Sequence, residues 1–131
     1  QQDRGGTPFT QSIQSFYALD EALNEHRDEG GWKARRIQYR TRMQQVRDGL
    51  GQLGIKALLP ASECSCILNS FHLPDNMDYQ TLHDGLKKRG FVIYAGQGGL
   101  VQSIFRIAVM GALTTADIQR FLTAMQEILE S

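Results

Sequence analysis

Arg106 stands in the run Ser103-Ile104-Phe105-Arg106-Ile107-Ala108, where strand alternation puts its side chain on the same face as Ile104 and Ala108. A guanidinium buried there without a partner would be costly. Two settings are open: exposure at a sheet rim, which spacing alone favours, or a place opposite an anion. The second carries chemistry, because a guanidinium forks onto a carboxylate or phosphonate with two parallel hydrogen bonds and fixes both its position and its orientation. An arginine kept only for structure would instead pair with a local acid, such as Asp117 or Glu127.

The other chemistry-bearing residues read as structural. Cys64 and Cys66 fall two apart on one face of an expected strand, which separates their Cβ atoms by about 6–7 Å. A disulfide needs about 3.8 Å, so both are expected as free thiols. His72 shares their strand parity, but no fourth ligand stands at a spacing that would make a metal site. His26, His72 and His83 lie in separate elements without a serine or cysteine partner at an informative spacing. The loop Gly96-Gln97-Gly98-Gly99 runs from strand to strand with no helix start to hold a phosphate, and reads as a flexible hairpin loop. There is no P-loop, no Gly-x-Gly-x-x-Gly opening a helix, no nucleophile elbow and no pair of metal knuckles. No catalytic residue and no metal-ligand set is assigned.

Eight elements would have to position these residues, divided mainly by glycines. Phe9, Ile13, Phe16, Leu19 and Leu23 recur at helical spacing up to Gly30-Gly31, and Trp32, Tyr39, Met43, Val46, Leu50 and Leu53 form the apolar stripe of a second, basic helix. Its arginines face a preceding helix end rich in acids, so a solvated face with local ion pairs is expected rather than a binding surface. Ile55–Leu59 and Ser65–Leu73 read as strands. Asp78 caps a third helix that Gly90 stops, Phe91–Tyr94 and Gln102–Val109 are further strands, and Thr114 or Thr115 caps a final helix stripe through Ile118, Phe121, Leu122, Met125, Ile128 and Leu129. The order predicts an α+β fold: a small, mostly antiparallel sheet, closed by a hairpin, with helices packed on one face.

At 131 residues, with 14 basic and 14 acidic side chains, the chain is long enough for one self-supporting domain and has no charge excess to attract nucleic acid or an anionic membrane. No apolar run approaches the roughly 18 residues that span a bilayer, and the polar start is no signal peptide, so a soluble, cytoplasmic protein is expected.

The run Arg89-Gly90-Phe91-Val92-Ile93-Tyr94-Ala95-Gly96-Gln97-Gly98-Gly99, then Ile104-Phe105-Arg106-Ile107 and Met110-Gly111, resembles the end of class V aminotransferases, most closely the branch acting on 2-aminoethylphosphonate and pyruvate. The opening Gly6-Thr7-Pro8-Phe9-Thr10 resembles the segment by which those enzymes enter their small domain. The resemblance implies a single carboxy-terminal small domain over 1–131, with 1–30 as the entry segment and helix from a missing large domain of the same polypeptide. It implies that Arg106 clamps the acidic group of the small-molecule substrate, and that Thr7 lies in a segment reaching across a homodimer toward the phosphate of pyridoxal phosphate. Lys33, Lys56, Lys87 and Lys88 do not resemble the segment bearing the Schiff-base lysine, so the chain alone is expected to be inactive and to bind no cofactor. Ala108 and Val109 stand where many relatives have Gly-Asn, and Gln97 where a lysine is frequent, which leaves room for another donor. An alanine–glyoxylate or serine transaminase of the same superfamily is one alternative. A free-standing, non-catalytic interaction domain is the other.

Overall fold

The computed structural model describes residues 9–130. The chain divides into two compact units, residues 1–35 and 36–131. In the first, helix α1 spans Ile13–Asp28 and buries none of its residues. It therefore begins after, not at, the Phe9 end of its apolar pattern. Gly30 and Gly31, both at positive φ, turn the chain into α2, which spans Gly31–Gln52 and crosses the unit boundary. Arg35 meets Glu29 at 2.6 Å, the local ion pairing expected of this basic helix.

In the second unit, β1 (Leu68–His72), α3 (Tyr79–Lys88), β2 (Tyr94–Ala95), β3 (Ile104–Ala108) and α4 (Thr115–Leu129) follow α2. The sheet order is β1-β3-β2, with β3 central and both pairings antiparallel, so α3 carries the chain from one edge strand to the other. Period-two alternation sorts the side chains. Asn69, Phe71, Phe105 and Ile107 are buried with Met43, Val46 and Leu50 of α2, Leu82 and Leu86 of α3, and Ile118, Phe121, Met125 and Ile128 of α4. The rings of Phe71 and Phe105 stack across the strands with centroids 5.7 Å apart. Truncating such a buried ring costs about 3–5 kcal/mol. The result is the expected α+β arrangement, a small antiparallel sheet with helices on one face.

Helix ends follow their local chemistry. Asp78 accepts a 2.7 Å hydrogen bond from the Thr81 amide at the start of α3, and Gly90, at φ +87°, lets the chain leave it. Thr114 and Asp117 form a reciprocal capping box at α4.

All four expected strands are shorter than their patterns, Gln102–Val109 being trimmed to Ile104–Ala108. Ile55–Leu59 makes one bridge, Ala57 to Phe71, flanked by Leu58 N–H to Ser70 O and His72 N–H to Lys56 O. Pro60, with no N–H, ends that pairing. Phe91–Ile93 stay outside the ladder because the Phe91 amide returns to the Leu86 carbonyl at 3.0 Å, closing the end of α3. Residues 61–67 form a 3-10 turn and bends before β1, so Cys64 and Cys66 do not share a strand face with His72.

Candidate functional site

Arg106 lies on β3, the central strand, so rim exposure does not describe it. Its side chain is partly buried on the sheet face away from the helices, in register with Ser70 of β1 and Tyr94 of β2. Nε donates to the Ala95 carbonyl at 2.8 Å. Among the described residues, its two terminal amino groups make no hydrogen bond and no ion pair. The acids that a structural arginine could have taken are engaged elsewhere: Glu127 with Arg89 at 2.9 Å and Asp117 with Arg120 at 3.0 Å. The geometry leaves the guanidinium fork oriented by one backbone carbonyl and able to accept an external anion.

The strand that orients Arg106 is itself held. The Tyr79 hydroxyl donates to the Ile93 carbonyl at 2.9 Å, and the Tyr79 ring packs against His83 with centroids 5.5 Å apart. Burial pushes the Tyr79 phenol above its ordinary value, opposed by the Ala95 amide and the Arg106 charge. Tyr79 is therefore a neutral donor at physiological pH. Gly96, the next residue along, is buried against Leu100 and Ile104, where a side chain would collide with the Leu100 carbonyl. Glycine is required there for the loop to fold back under β2.

A second polar cluster gave no signal in the sequence. Asn69 is buried and accepts from Arg47 at 2.6 Å, while its amide donates to the Ser65 carbonyl at 2.6 Å. Arg47 also donates to the Leu59 carbonyl at 3.1 Å and to the Cys64 sulfur at 3.3 Å. These bonds satisfy the buried amide and tie α2 to the turn before β1. They border an open groove of about 440 Å³ that Arg36, Arg40 and Cys66 also line. The pairing of Arg47 with Asn69, 22 residues away, depends on tertiary contact that helical spacing does not encode.

The remaining candidates are dispersed. Both cysteines are free, and among the described residues no three His, Cys, Asp or Glu side chains could jointly hold a metal ion. His72 is exposed at the end of β1, and His83 bonds its neighbour Asp84 at 2.9 Å. The Gly96–Gly99 loop runs into a 3-10 turn over Gly98–Leu100, three residues long and too short to offer an anion site. Thr7 lies outside the described residues. Lys33, Lys56, Lys87 and Lys88 are all exposed, and the neighbours of Arg106 on its own face are Ser70, Tyr94, Ile104 and Ala108, none an amine. These residues supply no lysine beside Arg106 through which an aldehyde cofactor could be held.

No protein-family model matches the chain. It is 37% identical over 131 residues to a 2-aminoethylphosphonate–pyruvate transaminase of Vibrio cholerae, a match covering 98% of the chain and 35% of that protein. Among solved structures it is similar to an alanine–glyoxylate aminotransferase from Nostoc sp., with TM-score 0.85, 20% identity, and coverage of 95% of this chain and 33% of that one. It is also similar to a pyridoxamine–pyruvate aminotransferase from Mesorhizobium loti, with TM-score 0.82, 23% identity, and coverage of 95% and 32%. The chain thus spans about a third of the length of the curated relatives it matches. At these identities the structural likenesses establish the fold, and the sequence likeness establishes kinship. No helix among the described residues is long and apolar enough to cross a membrane. Over nearly its whole length the chain is similar in sequence to about a third of a 2-aminoethylphosphonate–pyruvate transaminase, and it has the fold of the corresponding third of two aminotransferases of known structure.

Proposed function

We propose that the chain is the carboxy-terminal small domain of a cytoplasmic, pyridoxal-phosphate-dependent aminotransferase that moves the amino group of 2-aminoethylphosphonate to pyruvate. The observation that carries this reading is Arg106, a guanidinium on the central strand, oriented through Nε and without a carboxylate partner among the described residues. It is supported by the 37% identity to a transaminase of that name. In this reading residues 1–30 are the entry segment and helix, and a large domain preceding them supplies the lysine and most of the cofactor site. In the same reading Thr7 belongs to the segment that extends across a homodimer toward the cofactor phosphate of the partner subunit. The cofactor, when bound, supplies the electron sink and carries the amino group. This chain's own contribution is positional: Arg106 fixes the acidic end of the donor, which sets the direction of the donor's reactive carbon. Alone, the chain neither binds the cofactor at a defined site nor transaminates.

A second reading is alanine–glyoxylate or serine transamination, compatible with the fold shared with an alanine–glyoxylate aminotransferase at TM-score 0.85. Arg106 would serve it equally, with a carboxylate in place of the phosphonate. Turnover of the full-length enzyme with 2-aminoethylphosphonate, alanine and serine as donors separates the two readings. The first requires the phosphonate to have the highest kcat/KM; an alanine or serine preference replaces it with the second. Absence of turnover with every donor would leave a non-catalytic interaction domain.

A further inference from the structure

Arg106 is the middle member of a row of three polar side chains that crosses the sheet. The register sets Ser70 opposite it on β1 and Tyr94 opposite it on β2. Directly opposed residues project from the same face with Cβ atoms about 4.5–5.5 Å apart, close enough to share one small ligand. The row is not symmetric. Arg106 leans toward β2, where Nε bonds the carbonyl of Ala95, the residue after Tyr94. Tyr94 is 62% exposed, and its hydroxyl makes no hydrogen bond with any described residue. The nearby Tyr79 hydroxyl, in contrast, is committed to Ile93.

The stereochemistry of the anion gives Tyr94 a task. A guanidinium fork satisfies two acceptor oxygens lying near its plane. A carboxylate has no others. A phosphonate is tetrahedral, so with two oxygens in the fork its third points out of that plane and requires a further donor. We propose that Tyr94 is a specificity-determining residue, its hydroxyl donating to the third oxygen of a phosphonate held by Arg106 and so favouring phosphonate-bearing over carboxylate-bearing amino donors. This rests on the reading of Arg106 as the anion clamp. A site built to hydrogen-bond a substrate group discriminates against the analogue lacking it more sharply than an apolar pocket can.

The test is Tyr94→Phe in the full-length enzyme. The ring is retained and the residue is exposed, so the melting temperature is expected to hold. A hydrogen bond to a charged acceptor is lost, which lowers kcat/KM for 2-aminoethylphosphonate about tenfold to a hundredfold, chiefly through KM, while that for alanine stays within about twofold. As simple competitive inhibitors, methylphosphonate should weaken in parallel and acetate should not. Equal effects on both anions, no effect on the phosphonates, or a phosphonate loss in Ser70→Ala but not in Tyr94→Phe would each overturn the assignment. Arg106→Lys is the companion arm. If it weakens both classes of donor while Tyr94→Phe weakens neither, the clamp stands and the assignment of Tyr94 fails. If Arg106→Lys changes no donor or inhibitor, both fail.

Discussion

The Arg106 Nε and the Ala95 carbonyl meet at 2.8 Å between the central strand and its two-residue neighbour. One donor of the guanidinium is used by the protein's own backbone, and the rest are held in a fixed direction. A charged fork oriented in this way loses less freedom on meeting an anion than a free side chain would.

Replacing Gly96 tests how this orientation is maintained. A Cβ at Gly96 would collide with the backbone carbonyl of Leu100, which cannot move as a flexible side-chain tip can. Gly96→Ala is expected to destabilise the second unit by about 1–3 kcal/mol in urea denaturation. It should also raise the KM of the full-length enzyme for its donor, because Ala95 shifts with the loop. An unchanged urea midpoint would show that the loop has slack here.

Asn69→Ala should remove the acceptor that Arg47 holds at 2.6 Å and leave a partly buried guanidinium short of a partner. The expected cost is about 1–3 kcal/mol. Double-mutant analysis with Arg47→Ala should give a coupling of at least about 0.5 kcal/mol, since contacting residues do not add independently. Strict additivity would mean that the two side chains act separately.

Acid should weaken the fold through its helix caps. Bonds from Thr114 hold the Asp117 carboxyl below its ordinary value, and bonds from Thr81 do the same for Asp78. Because the folded-state values are depressed, their stabilisation is complete above the unfolded-state value and is lost as pH falls through the folded one. The urea midpoint should therefore be level near neutrality and decline below about pH 4. Asp117→Asn, which cannot titrate, should show a shallower decline; an identical pH profile would remove the capping box from the account.

The α+β class and the four helices were legible because their signals are local: apolar stripes, the Thr114–Asp117 box, and the glycine stops at Gly30, Gly54 and Gly90. Strand lengths were not. Apolar runs such as Ile55–Leu59 and Phe91–Tyr94 carry strand propensity, but Pro60 and the return of the Phe91 amide to Leu86 decide how much of each joins the ladder. At the site, alternation identified the face of Arg106 correctly and its strand's place wrongly, because strand order is a tertiary property. The partners of Asn69 and the alignment of Tyr94 with Arg106 likewise depend on register between distant segments.

The central claim is that Arg106 holds the acidic group of the amino donor, and Arg106→Lys in the full-length enzyme tests it most directly. Lysine keeps the charge but loses the two-pronged geometry, so the fold and the cofactor spectrum should persist. The kcat/KM for the preferred donor should fall about tenfold to a hundredfold, the loss expected for one charge-assisted hydrogen bond. An unchanged kcat/KM for every donor, with an intact cofactor spectrum, would take Arg106 out of the site and contradict the account.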